Sequence, residues 1–139
     1  GNIGIEALSR GADSIAFVEI NPICTKTIAA NLAKFGLSPK PPEIILLNMS
    51  ISRALEYFRR HGMQFDVIFL DPPYSAGLIK KTLKEILAYN TLAIGGQLIA
   101  EHDVKEKTLE EVNGLVRTRQ KSYGTTVLSF YEQQPPLSQ

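Results

Sequence analysis

The chain has 139 residues, is 44% hydrophobic and 21% charged, and carries a formal net charge of +1 at pH 7. That length builds one domain around one core, and the near-balanced charge excludes a strong global field, so a nucleic acid or membrane has to be met by local patches. The single Cys24 excludes an intrachain disulfide and fits a reducing compartment, and with no apolar run near the roughly 20 residues of a bilayer span, a cytoplasmic location is expected.

Residues 1–11 predict a glycine-rich turn entering a short helix, with Ile5 and Leu8 on one side and Gly11 as its C′ residue. Ser14 to Glu19 reads as a buried strand ending in an acid. Asn21 is placed to cap the next helix, and Pro22 sits in the first turn, where a missing N–H costs nothing. Ile28, Leu32 and Phe35 form its predicted apolar stripe, and Gly36 ends it. A proline-rich loop over 38–42 leads to a strand over 43–47. The helix over 51–61 turns Ile51, Leu55 and Phe58 inward. Phe65 to Leu70 is the next strand. Ile79, Leu83, Ile86 and Leu87 mark a helix ending near Asn90. Gly95-Gly96 opens a strand over 97–101, and a short helix is expected over 105–113.

The end of the chain changes character. Residues 115–122 and 125–132 read as two strands around Tyr123-Gly124, which is a hairpin signal. Pro135-Pro136 and the polar tail, residues 134–139, are expected to be disordered. No segment repeats. Strands alternating with helices imply a mostly parallel α/β sheet covered on both faces, closed here by an antiparallel hairpin. Ligands in such folds sit beyond the C-terminal ends of the strands. Glu19, Asn48 and Asp71 all fall at such ends, so they are expected on one rim.

The most informative residues are Asp71-Pro72-Pro73-Tyr74, directly after the apolar strand. The acid can accept a hydrogen bond from an exocyclic amine. The prolines fix the backbone and leave carbonyls free of intrachain pairing. The aromatic ring can stack on a flat substrate. An ordinary strand followed by a proline turn is the competing account. Glu19 can accept both hydroxyls of a ribose, as the acid does in dinucleotide folds, or be a solvated acid at a strand end. Gly1 and Gly4 would let backbone approach a ligand closely. Asn48 and Met49 offer an amide and an apolar surface suited to an adenine, or else a turn and a core residue.

Other residues have simpler accounts. His102 reads as a loop histidine, His61 as a favourable charge at a helix C-terminus, and Cys24 as a packed helix residue. Arg117, Arg119 and Lys121 alternate along one strand, which places three cations on one face. Lys80, Lys81 and Lys84 start the helix after the proline motif. Both groups are candidate phosphate contacts as well as ordinary solvated surface. No grouping has metal-ligand spacing, so no metal is expected, and no Ser/His/Asp or Cys/His arrangement suggests a covalent nucleophile.

Taken together these stretches resemble a class I S-adenosylmethionine-dependent methyltransferase. More closely, the chain resembles the RsmD family, which methylates a guanine N2 amine in bacterial small-subunit ribosomal RNA. The resemblance rests on residues 4–12, Val18-Glu19-Ile20-Asn21, residues 65–74, Gly95-Gly96 with Glu101, and Tyr123-Gly124-Thr125-Thr126 with residues 128–131. It covers residues 1–133, a single catalytic domain.

The resemblance implies roles. Gly1 and Gly4 would end the cofactor glycine loop. Glu19, with Ile20 beside it, would bind the ribose of S-adenosylmethionine, and Asn48-Met49 its adenine. Asp71 would touch both the cofactor region and the target amine. The Pro72 carbonyl would share that amine, Pro73 would hold the turn, and Tyr74 would stack on the base. Lys80, Lys81, Arg117, Arg119 and Lys121 would contact RNA, either naked or in a small-subunit assembly intermediate. No membrane is implied, and a monomer is expected for the intact enzyme. The family normally places a first strand and an acidic-aromatic-Gly loop ahead of the position of Gly1, between the strands ending at Glu19 and before Asp71. An upstream segment is therefore expected. The family also usually has an Asp near Asn48-Met49. DNA adenine-N6 methylation, a dinucleotide oxidoreductase and a non-catalytic RNA-binding module are the alternatives.

Overall fold

The computed structural model describes residues 2–70 and 78–133. They divide into two units, the first through Ala54 and the second from Leu55. The first unit holds α1 (Asn2–Ser9), β1 (Ile15–Val18), α2 (Pro22–Lys34) and β2 (Ile44–Leu47). The strands pair in parallel, with Ile15 opposite Ile44 and Val18 opposite Leu47. Ile5, Phe17, Leu32 and Ile44 form the core, with Leu8, Ile15, Ile28, Leu37 and Leu46 packed against them.

Local chemistry sets the bounds of α2. Asn21 Oδ1 accepts from the Ile23 N–H at 2.9 Å, and Pro22 occupies the first turn. At the other end Gly36 adopts φ 72°. Its N–H reaches the Ala33 carbonyl and that of Leu37 the Leu32 carbonyl, both at 3.0 Å, the paired bonds of a Schellman stop. Phe35 departs from the predicted stripe. It is the C-cap residue and 67% exposed, because the helix ends one residue too soon to turn it inward.

The second unit begins within α3 (Ile51–Arg60) and continues through β3 (Phe65–Leu70), α4 (Leu78–Ala88), β4 (Leu92–Asp103), β5 (Glu111–Val112), β6 (Leu115–Tyr123) and β7 (Thr126–Gln133). Leu55 and Phe58 are buried as expected, and Ile79, Leu83 and Ile86 are the buried face of α4. The sheet order is β3-β4-β7-β6-β5; β3 and β4 are parallel and the remaining pairs antiparallel. Among the described residues β1 pairs only with β2, and β3 only with β4. Each of these strands keeps one long edge without a strand neighbour.

Two expectations about this unit are corrected. β4 starts at Leu92 rather than Gln97, and the register against β3 shifts between Phe65 and Val67. Gly96 fits there because a Cβ would lie 2.7 Å from the Ala93 carbonyl. The expected helix over 105–113 is absent. Glu111 and Val112 instead pair with Val116 and Leu115 across Asn113-Gly114. Both turn residues have positive φ, 49° and 89°. An Asn-Gly pair accepts that combination readily, and it is the two-residue hairpin geometry that matches strand twist.

Candidate functional site

Parallel, in-register strands deliver their following residues side by side, so Glu19 after β1 and Asn48 after β2 emerge together on one rim. Asn48 Nδ2 donates to the Glu19 carbonyl at 2.9 Å and to the Ile20 carbonyl at 3.0 Å. Both partners only accept, which fixes the nitrogen as the amide atom facing them and turns Oδ1 away from this carbonyl pair. The Glu19 carboxylate is half-buried and accepts from the Ile20 N–H at 2.8 Å. The Glu19 N–H in turn reaches the Leu47 carbonyl at 3.0 Å. Ile20 is 67% exposed beside this pair, and Met49 is half-buried. The rim therefore combines a carboxylate for a diol, an amide oxygen for an amine, and an apolar side chain for a flat ring. That donor set fits the adenosyl half of S-adenosylmethionine.

Cys24, in the first turns of α2, is exposed rather than packed. Desolvation by its neighbours, then the hydrogen bond and charge of Glu19, push its thiol above the ordinary range. Gly4 has a packing role. A Cβ there would lie 2.6 Å from Ile15 Cδ1 and closer still to the Phe17 ring. The missing side chain is what lets α1 lie on β1, as close helix–strand packing requires. Gly1 and the Asp71-Pro72-Pro73-Tyr74 tetrad lie outside the described residues, as does the tail 134–139.

Lys80, Lys81 and Lys84 are exposed on α4. Lys80 borders a cavity of about 120 Å³ whose apolar lining includes Ile79, Leu83, Leu109 and Val112. The three cations of β6 do not share a face. The ladder with β7 pairs Arg117 with Tyr131 and Arg119 with Phe130, so a bulge at Thr118 shifts the alternation. Arg117 turns inward, where its guanidinium meets the Thr108 carbonyl at 3.3 Å, Thr108 Oγ1 at 3.1 Å and Glu110 at 3.9 Å. Arg119 lies on the other face, 4.1 Å over the Phe130 ring.

His102 is buried within β4 rather than set in a loop. Its Nδ1 lies 3.0 Å from the Asp103 carbonyl and its Nε2 2.7 Å from Ser129 Oγ. A carbonyl only accepts, so Nδ1 carries a hydrogen. Gln120 Nε2 donates to Ser129 Oγ at 2.9 Å, which leaves the Ser129 hydroxyl to donate to His102 Nε2. This three-strand chain joins residues 102, 120 and 129, and only strand register reveals it. His61 is exposed and tilted against Tyr57, with ring centroids 4.2 Å apart.

Among the described residues no group of three or more His, Cys, Asp or Glu is placed to hold a metal ion, and no helix is long and apolar enough to cross a membrane. A parallel β1–β2 pair that carries Glu19 and Asn48 at its ends, and a parallel β3–β4 pair continued by an antiparallel hairpin, are the parts of a class I methyltransferase fold, and the chain is a methyltransferase. The family model described as Conserved hypothetical protein 95 matches residues 1–132, and the chain belongs to that family, as its resemblance to RsmD implied.

The chain is 35% identical to a Bacillus subtilis protein named "Putative rRNA methyltransferase YlbH", over 95% of this chain and 70% of that one. It is 28% identical to Ribosomal RNA small subunit methyltransferase D of Haemophilus influenzae, over 95% of this chain and 66% of that one. A solved structure of a conserved hypothetical protein from Streptococcus pyogenes superposes with a TM-score of 0.84 at 28% identity, over 96% of this chain and 80% of that one.

Proposed function

We propose that this chain transfers a methyl group from S-adenosylmethionine to the exocyclic N2 amine of a guanine in small-subunit ribosomal RNA. The observation that carries the reading is the Asn48 amide bound to the Glu19 and Ile20 carbonyls, which sets a carboxylate and an outward amide oxygen side by side. S-adenosylmethionine supplies the electrophilic sulfonium methyl when bound. Glu19 accepts the ribose hydroxyls, Asn48 Oδ1 accepts the adenine amine, and Ile20 and Met49 offer apolar surface to the ring.

The family resemblance extends the reading to the tetrad. A guanine N2 lone pair is delocalised into its ring and is a poor nucleophile. Hydrogen bonds from that amine to the Asp71 carboxylate and the Pro72 carbonyl favour a pyramidal nitrogen; as the N–C bond forms and the S–C bond breaks, releasing S-adenosylhomocysteine, the carboxylate stabilises the positive charge on nitrogen until its proton passes to solvent. Pro73 holds the turn, and Tyr74 stacks on the unstacked base. The RNA is met naked or in a small-subunit assembly intermediate, by a cytoplasmic monomer. The names of the Bacillus and Haemophilus relatives support the ribosomal RNA substrate.

Calorimetric titration with S-adenosylhomocysteine tests the cofactor half. Micromolar binding that weakens at least tenfold in Glu19→Ala is expected, because each hydrogen bond to a charged group contributes about 1.5–3 kcal/mol. Incubation with unmethylated small subunits, with naked small-subunit RNA and with duplex DNA, followed by nucleoside mass spectrometry, tests the rest. Appearance of N2-methylguanosine is expected; methyladenine in DNA and none in RNA would overturn the substrate assignment.

A further inference from the structure

The face of β6 opposite Arg117 is the clearest feature that the methyl-transfer site does not use. Past the bulge, Arg119, Lys121 and Tyr123 pair with Phe130, Leu128 and Thr126 of β7, so all six side chains share one face. Arg119 lies 4.1 Å from the centroid of the buried Phe130 ring, and Lys121 Nζ lies 5.3 Å from that of Tyr123. Tyr123 is 53% exposed, and both cations are exposed.

We propose that this face binds a single-stranded segment of RNA. The inference rests on the RNA reading above and adds to it a contact surface built from residues other than those assigned to methyl transfer. The chemistry is specific. A guanidinium held 4.1 Å over a ring keeps donors free for a phosphate and a cationic surface for a base. Lys121 adds a point charge, and a half-exposed tyrosine ring provides a stacking partner. A duplex buries its base faces and leaves that ring without a partner, so the occupant is single-stranded.

Other charges on this face are accounted for. Glu132 stands beyond Phe130, away from the turn, and Glu111 of β5 lies on the same face across Val116, also away from the turn. Glu101 and Asp103 lie on β4, with β7 between them and β6. From Thr118 to Tyr123 the outer edge of β6 has no strand neighbour among the described residues. Charged residues at such an edge also discourage strand addition. That function needs neither a guanidinium over the Phe130 ring nor an exposed tyrosine.

The test is fluorescence anisotropy of a labelled 12-nucleotide single-stranded RNA and of the matching duplex, without cofactor, across a salt series. Wild type is compared with Lys121→Glu and Tyr123→Ala, both at exposed residues, and with Lys26→Glu as a charge-matched control in α2. The expected result is a preference for the single strand, with affinity reduced roughly fivefold or more in Tyr123→Ala. Lys121→Glu is expected to bind more weakly, with a salt slope smaller by about 0.7 or more. Lys26→Glu is expected to bind as wild type. Equal binding by all four proteins, absence of binding, or preference for the duplex would each overturn the proposal. S-adenosylhomocysteine titrations of the same proteins read the methyltransferase function separately. Cofactor binding that persists in every variant shows that a failure belongs to this surface and not to the enzyme.

Discussion

Asn48 donates its side-chain amide to the main-chain carbonyl of Glu19 at 2.9 Å, so the residue after β2 holds the backbone after β1. An aspartate, usual in the family near this position, cannot make that bond, because a carboxylate has no hydrogen to give. In this chain one residue therefore combines two tasks, fastening the rim and presenting an oxygen.

Asn48→Asp should accordingly destabilise the protein. It removes two donated bonds, both solvent-exposed, and points a carboxylate at two carbonyls. The expected cost is about 1–2 kcal/mol. It should be read as a lower urea midpoint with an unchanged m-value.

Cys24 reports on Glu19. Desolvation and the neighbouring carboxylate both favour the protonated thiol, so little of the reactive thiolate is present near neutral pH. Alkylation by iodoacetamide at pH 7.5 should be slower in the folded chain than in urea, although the residue is exposed. Because the thiol pKa is raised, the folded-state rate should climb at higher pH than the unfolded one. Glu19→Gln removes the charge and should move the profile back toward lower pH. Coincident profiles in all three samples would refute the coupling.

Gly4→Ala separates packing from ligand approach. The added methyl meets Ile15 and Phe17 side chains, and overpacking of this kind costs about 1–3 kcal/mol. Better helix propensity offsets up to about 1 kcal/mol of that. Thermal denaturation should show a lower Tm, while the folded protein keeps its affinity for S-adenosylhomocysteine.

Ser129→Ala removes the centre of the buried chain between His102 and Gln120. His102 Nε2 loses its partner at a residue only 6% exposed. A loss of about 1–3 kcal/mol is expected. Gln120→Ala, at the exposed end, should cost less. Urea denaturation of both variants checks the order.

Gly114→Ala tests the Asn113-Gly114 turn. The residue sits at φ 89° with open space around it, so the penalty is conformational and amounts to about 1–2 kcal/mol. The denaturation midpoint checks this.

Residues 21–36 show what local sequence settles. Asn21, Pro22 and Gly36 each act within one turn of their own position, so the bounds of α2 followed from residue type. The alternation of strand and helix, and the placement of Glu19 and Asn48 after successive strands, were legible for the same reason: hydrophobic period and punctuation are short-range. The misread helix over 105–113 was also a short-range matter. Asn113-Gly114 is itself a two-residue hairpin signal, and its two positive φ angles reverse the chain before a helix could complete.

Long-range pairing was not legible. Whether Arg117 and Arg119 share a face depends on a bulge that exists only against β7. One extra residue exchanges the faces of everything beyond it, so a sequence count of alternating cations fails at that point. The His102–Ser129–Gln120 chain joins residues up to 27 apart in sequence, and the Asn48 bonds span 28 and 29. The sequence by itself determined the elements, their order and the residue types at the strand ends, because those depend on neighbours along the chain. Only the tertiary structure decided which side chains meet, because register between distant strands is set by packing that no single segment encodes.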